Sequence, residues 1–220
     1  MARKNITLKL FDNESNKNKL IAGLDESGQG PLFGRVYGAV VILNPELELH
    51  PMLNDSKKMT PKKRALVRTW IEENALDYQV CWRDEKRIDE VNILNAKMEA
   101  WHEAISKLNV EPELLLVDGT QFKPYWNVNG DEDYFIPYQT IVGGDAQFAA
   151  IAAASVLAKE YHDEYVSELC QLEPELEQKY HLCSNKGYGT AYHMWAIAEY
   201  GPSTYHRKSF LKNIRANNDN

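Results

Sequence analysis

Two apolar runs meet at a glycine-rich turn near the start of the chain. Ile21-Ala22-Gly23-Leu24 runs into Asp25-Glu26, Ser27-Gly28-Gln29-Gly30-Pro31 follows, and a second apolar run leaves from Val36 to Leu43. The pattern predicts a strand over residues 20–25, a tight loop, and a strand over 36–43 that Asn44-Pro45 closes. The second run is nearly continuous in apolar residues, as expected where both faces of a sheet are covered. Thr60-Pro61 supplies a capping hydroxyl and a first-turn proline, so a helix starts there with Ala65, Leu66, Trp70 and Ile71 as its apolar side. Residues 77–82 read as a strand. Val91, Ile93, Leu94, Met98, Trp101, Ile105 and Leu108 recur mostly at steps of three and four, which predicts one long helix over 88–108. Residues 114–119 form a buried strand ending in Asp118, and 134–142 a further strand. Gly143-Gly144-Asp145 opens an alanine-rich helix over about 147–169, where a carboxylate suits the helix start. Pro174 begins a short helix, 185–189 is a turn, and 190–200 is a helix stopped by Gly201-Pro202.

Strands dominate early, helices interleave, and the end is all helix. The fold class is therefore α/β. One domain is expected over 20–215, its helical C-terminal segment at about 170–215, after a polar extension over 1–19. Within that extension 12–18 reads as coil, and 7–11 as a short strand.

Composition narrows the setting. The chain has 220 residues, and no apolar run approaches a bilayer span or an export signal, so a cytoplasmic protein without a membrane partner is expected. Cys81, Cys170 and Cys183 are odd in number and lack metal-ligand spacing, which favours reduced thiols. A net charge of −7 argues weakly against a nucleic-acid partner. Its distribution argues the other way. Lys57, Lys58, Lys62, Lys63, Arg64 and Arg68 fall in a stretch without acids, and the tail adds His206, Arg207, Lys208, Lys212 and Arg215. Two such patches on an acidic body can grip phosphate around an acidic metal site, or can be solvated helix faces.

Four acids lie at element ends: Asp25, Glu26, Asp118 and Asp145. A carboxylate closing a buried strand is costly unless a cation meets it. If the strands of Asp25 and Asp118 are parallel neighbours, their carboxylates converge. Adjacent strand residues point to opposite faces, so Asp25 and Glu26 share a site only if the chain turns at once, which Gly28 permits. Three or four carboxylates without histidine or cysteine suit Mg²⁺ or Mn²⁺, and two such ions can activate a water and stabilise a leaving oxygen in phosphodiester hydrolysis. Gly28-Gln29-Gly30-Pro31 lacks the spacing of a dinucleotide fingerprint, and Ser155 to Lys159 has one residue too many for a Ser-x-x-Lys nucleophile. The six histidines read as surface or packing residues.

In their order these segments resemble type-2 ribonuclease H, the ribonuclease HII family. They are 22–32, Leu53-Asn54-Asp55-Ser56-Lys57-Lys58, Ile93-Leu94-Asn95-Ala96, Leu116-Val117-Asp118-Gly119, Gly144-Asp145-Ala146 with 151–159, Asn185-Lys186-Gly187-Tyr188-Gly189-Thr190, Tyr200-Gly201-Pro202 and His206-Arg207-Lys208-Ser209-Phe210. The resemblance implies a ribonuclease-H-like mixed sheet flanked by helices. It implies cleavage of RNA paired with DNA, or of ribonucleotides embedded in duplex DNA, leaving 3′-hydroxyl and 5′-phosphate ends. Asp25, Glu26, Asp118 and Asp145 would be its metal-binding catalytic acids, two ions per site. Asp25 and Asp118 would mainly serve the ion that orients the water, Glu26 and Asp145 the other. The Gly28-Gln29-Gly30 backbone would face the 2′-hydroxyl, Tyr188 would stack on the junction sugar, and Lys57, Lys58 and Lys186 would contact phosphate. The family usually has arginine between the two glycines. Gln29 keeps a donor and loses the charge, which leaves a divergent, weakly active or inactive hybrid binder with altered junction recognition as the alternative. A DNA nuclease of the same fold, such as a junction resolvase, is a second rival. Type-3 relatives usually carry glutamate at the fourth acid position and an N-terminal binding domain, so Asp145 and the short start favour type 2. The tail lacks an obvious sliding-clamp peptide, and a monomer is expected.

Overall fold

The computed structural model describes residues 8, 9, 19–127 and 134–212. The main sheet holds β1 (Ile21–Ser27), β2 (Val36–Leu43), β3 (Ala75–Arg83), β4 (Leu114–Asp118) and β7 (Tyr138–Ile141), while β5 (Trp126–Asn127) and β6 (Tyr134–Phe135) form a separate ribbon. The sheet order is β3-β2-β1-β4-β7. β1 and β2, and β2 and β3, run antiparallel; β1 and β4, and β4 and β7, run parallel. The helices are α1 (Pro61–Asn74), α2 (Glu85–Val91), α3 (Ile93–Ser106), α4 (Ala149–Leu172), α5 (Pro174–Tyr180), α6 (Leu182–Asn185) and α7 (Ala191–Tyr200).

The sheet is covered on both sides, and all eight residues of β2 are buried, as its unbroken apolar run requires. On one face Ala39 and Val41 meet Ala149, Ala152, Ala153 and Val156 of α4, with Val67 and Ile71 of α1 behind them. On the other, Ala22, Leu24, Val40, Leu115 and Val117 meet Met98 and Trp101 of α3. A Cβ on Gly23 would lie 2.1 Å from a backbone atom of α4, and one on Gly38 would lie 2.7 Å from the Trp101 ring. Gly23 lets α4 press directly on β1, the strand of Asp25 and Glu26, and Gly38 lets α3 press on its neighbour β2.

Several elements depart from the periodic pattern. The helix expected over 88–108 is broken at Asn92, whose φ of +68° ends α2. Its Oδ1 accepts the Asn95 N–H at 3.1 Å and caps α3. Local capping overrides a continuous apolar stripe here. The strand expected over 134–142 splits at Pro137, which has no N–H to extend a ladder: Tyr134–Phe135 pairs with β5, and Tyr138–Ile141 with β4. In α1 the buried face is Arg64, Val67 and Ile71, while Ala65 and Leu66 are exposed. Lys9 bridges to Phe148. The remainder of the short strand at 7–11, the coil at 12–18 and Arg215 lie outside the described residues. No helix among the described residues is long and apolar enough to cross a membrane.

α5, α6 and α7 pack on the far half of α4 around Phe33, Tyr165, Tyr180, Leu182 and Ile197. Inside this segment His193 and His206 are buried and joined Nε2 to Nε2 at 3.0 Å. Ser203 N–H donates to His206 Nδ1 at 2.9 Å, so His206 Nε2–H donates to His193, whose Nδ1–H donates to the Tyr188 carbonyl at 2.9 Å. Both rings must be neutral for this relay. Burial, then His193, push His206 down to about 3. A base depressed in the fold supports it above its ordinary value near 6.5 and loses that support as pH falls toward 3. Urea unfolding is expected to show stability falling below pH 6.5 by up to about 1.4 kcal/mol per pH unit, with a flatter slope in His206→Gln. An unchanged slope would remove this pair as the source.

Candidate active site

The register of β1 on β4 brings the first two acids together. Leu24 pairs with Val117, so Asp25 and Asp118 follow side by side at the carboxyl ends of parallel strands. β4 stops at Asp118, whereas β1 runs on through Ser27. The chain therefore does not turn directly after Glu26. Asp25 faces α4 and Glu26 faces α3, as alternation demands. Glu26 nevertheless reaches the same edge because it stands beyond the last residue of β4, so that only β2 flanks it there and the side toward β4 is open. Trp101 Nε1–H donates to the Asp25 carbonyl at 2.9 Å and fixes this strand end.

The third segment folds over them. After β7, Gly143 (φ +64°) and Gly144 turn the chain, and Gly144 N–H donates to Asp118 Oδ1 at 2.7 Å. A Cβ on Gly144 would lie 2.5 Å from Ile151 Cδ1, so a larger residue there would displace that side-chain tip. Asp145 follows in a 3₁₀ turn, Gly144–Ala146, rather than in the helix itself, and is buried.

Burial first, then the charges of Glu26 and Asp118, hold the Asp25 carboxyl well above the ordinary carboxylate range. Ser155, bonded to Ser56 at 2.9 Å, hydrogen-bonds to Asp25 and opposes the shift. Burial raises Glu26 too, against the Lys97 ammonium 3.4 Å away. Burial raises Asp145, with Asp55 and Asp118 adding to it. Lys57 lies in the field of Asp25, Asp145, Asp55 and Asp118, which together outweigh its burial and raise its pKa. Acids that repel one another in a desolvated pocket form a site that a cation would relieve. The donors are carboxylate oxygens, which fit Mg²⁺ or Mn²⁺. No three of these acids bring one oxygen each within 4.8 Å of one another, so the cluster is open rather than collapsed.

The glycine loop is fastened from beneath. Gly28 has φ +87°, and a Cβ there would lie 2.6 Å from the Arg35 carbonyl. The Arg207 side chain is completely buried and forms no ion pair with a carboxylate among the described residues. It donates instead to the carbonyls of Gly28 at 2.6 Å, Pro31 at 2.7 Å, Gly34 at 2.8 Å, Arg35 at 3.0 Å and Gln29 at 3.3 Å. Burial pulls its pKa down to about 10, still far above neutral. His162 Nε2, buried beside Gly28, has no hydrogen-bond partner among the described residues. Tyr188 stands over the loop: a Cβ on Gly30 would touch its ring at 3.4 Å, and its side is 43% exposed.

The structure thus brings Asp25, Glu26, Asp118, Asp145 and Lys57 to one edge, with Gly28, Gln29, Gly30 and Tyr188 grouped as a loop and its cover. Lys58 pairs with Asp55 at 3.1 Å, and Lys186 Nζ donates to Ser167 at 2.9 Å. The two basic patches are smaller than the sequence suggests. Arg64 is buried against Glu160 and Asp163, Arg68 pairs with Glu72 and Glu164, and His206 and Arg207 are interior. Sequence reasoning missed Asp55, Lys97, Ser155 and Arg207. Asp55 alone carried a signal, as an acid directly before a Ser-Lys-Lys turn whose Lys57 N–H it caps at 2.9 Å.

Comparison with known proteins decides the family. A sequence model described as Ribonuclease HII matches residues 22–213. The chain belongs to the ribonuclease HII family. It is 43% identical over 195 residues to Ribonuclease HII of Phocaeicola vulgatus, covering 89% of this chain and 90% of that one. In fold it resembles the RNase HII in the PCNA:RNase HII complex from Archaeoglobus fulgidus, with a TM-score of 0.70, 21% identity and coverage of 89% and 97%. It also resembles Bst-RNase HIII in complex with Mn²⁺, with a TM-score of 0.58, 17% identity and coverage of 82% and 61%. Family and fold make this ribonuclease HII chain a ribonuclease H endonuclease, and the inactive-binder alternative is not favoured.

Proposed function

We propose that Asp25, Glu26, Asp118 and Asp145 hold divalent cations, Mg²⁺ or Mn²⁺ and two per site, and that the enzyme cuts the RNA strand of RNA/DNA hybrids and ribonucleotides embedded in duplex DNA. The convergence of four acids at one sheet edge, three of them with raised pKa, carries this reading. The Mn²⁺ complex of Bst-RNase HIII is consistent with it. Bound ions would supply an activated water and neutralise the leaving oxygen. Asp25 and Asp118 would orient the attacking water from the α4 side, with Glu26 and Asp145 toward the leaving 3′-oxygen. Lys57, beside them, would meet the scissile phosphate. The Gly28-Gln29-Gly30 amides would read the 2′-hydroxyl, and Tyr188 would stack on the sugar at the junction. With Gln29 in place of arginine, that reading rests on the backbone. Lys58 and Lys186 would contact flanking phosphates. The products would be 3′-hydroxyl and 5′-phosphate ends. The Archaeoglobus neighbour is in complex with PCNA; the tail of this chain carries no obvious clamp peptide in its sequence, and we propose a monomer acting directly on the duplex in the cytoplasm, in ribonucleotide excision.

The test is cleavage of a duplex carrying one ribonucleotide beside an all-DNA duplex, with Mg²⁺ or Mn²⁺ and end mapping. Cutting confined to the ribonucleotide is expected, with Gln29→Arg tightening duplex binding by up to about tenfold, or roughly 1.4 kcal/mol. Equal cutting of all-DNA would favour the DNA-nuclease rival.

A further inference from the structure

We propose that Cys170, Glu177 and Cys183 form a second cation site, selective for a soft divalent ion such as Zn²⁺. One atom of each, two Sγ and a carboxylate oxygen, lie within 4.8 Å of one another, and theirs is the one such group of possible metal ligands among the described residues. Tetrahedral Zn²⁺ with sulfur at about 2.3 Å and oxygen at about 2.0–2.2 Å needs ligand separations of that order. The site is distinct from the carboxylate edge. Ser155, which hydrogen-bonds to Asp25, and Cys170 share α4, and a rise of 1.5 Å per residue puts them roughly 20 Å apart along its axis.

The fold builds the group from three helices. Cys170 lies near the end of α4, Glu177 in α5 and Cys183 in α6. His181 reverses the chain between the last two with a φ of +53°, unusual for a residue with a side chain, and its ring stacks on Tyr192 at 4.0 Å. That reversal lets Cys183 N–H donate to Glu177 Oε2 at 2.6 Å, which orients the carboxylate and leaves its other oxygen free. Cys170 is buried, Glu177 partly buried and Cys183 exposed, so an ion would enter from solvent and keep a water as fourth ligand. Burial first, then a hydrogen bond with Cys183, hold the Cys170 thiol up to about 12. A coordinating ion displaces such protons to solvent, and the nearby Lys186 charge favours the thiolate. Thiols refuse Mg²⁺, so the two sites would sort hard ions from soft ones. α6 leads directly into Lys186-Gly187-Tyr188, and an ion here would brace the helices behind Tyr188.

The full chain, reduced and in excess Mg²⁺, is titrated with Cd²⁺ while the ultraviolet thiolate-to-Cd²⁺ band is followed, then challenged with Zn²⁺. One equivalent per chain is expected, displaced by Zn²⁺. Cys183→Ser should abolish the band while leaving Mg²⁺-dependent cleavage intact, and Glu177→Gln should weaken binding at least about tenfold. No band in the native chain would overturn the proposal. So would a band that survives Cys183→Ser, or a Cys170–Cys183 disulfide formed in the same reducing buffer.

Discussion

Asp25→Asn is expected to lower cleavage of a ribonucleotide-containing duplex on the order of 10³-fold, corresponding to roughly 4 kcal/mol of transition-state stabilisation. The same change should raise the melting temperature of the chelated protein. The two effects have one cause. Burial and the neighbouring Glu26 and Asp118 raise the Asp25 pKa in the fold. A carboxyl raised in this way supports folding below its ordinary value near 3.9 and loses that support as pH rises through its folded value. At neutral pH the raised carboxyl costs the metal-free fold stability, because the same group ionises freely in the unfolded chain. Asparagine keeps the shape, removes the charge and, on the proposed function, would also remove a cation ligand. Thermal melts with EDTA and with Mn²⁺ read both terms: wild type should gain stability from Mn²⁺, and the variant should gain little. A variant that cleaves normally would take Asp25 out of the reaction.

Arg207→Met is expected to cost roughly 3–5 kcal/mol of stability and to abolish ribonucleotide selectivity. Five loop carbonyls lose their donor at once, and buried acceptors left unpaired are expensive. Arg207→Lys separates positioning from folding. A lysine ammonium is a point charge and cannot span the positions that the planar guanidinium forks between. The lysine variant should remain folded in urea titrations at pH 7, with its KM for a single-ribonucleotide duplex raised and its preference over all-DNA reduced. Native selectivity in a destabilised Arg207→Lys would mean that the loop holds its shape without this anchor.

The two cases mark what the sequence can and cannot disclose. β1, β2 and β4 were legible because a fully covered strand leaves an apolar run, and each acid closing such a run was conspicuous. The parallel pairing of β1 and β4 was a condition in the sequence and is a fact of the register. Helix breakage at Asn92 was hidden, since apolar periodicity continues across it while one side-chain cap decides the boundary. Arg207 was the largest miss. An arginine among tail cations reads as solvated, and only the fold reveals that it enters the interior to reach the Gly28 loop from a remote part of the chain. Lys97 was equally silent, a lysine on an apolar helix face that finds Glu26 and the Trp101 ring. Such pairings depend on contacts distant in sequence, to which local periodicity is blind.

Cations bound among the four acids are central to the proposed chemistry, and anomalous diffraction from crystals grown with Mn²⁺ tests for them directly. The predicted result is one or two manganese peaks within about 2.2 Å of carboxylate oxygens of Asp25 and Asp118, with Glu26 or Asp145 completing the set. Peaks absent from all four acids, in a protein that cleaves in the same Mn²⁺ solution, would contradict it.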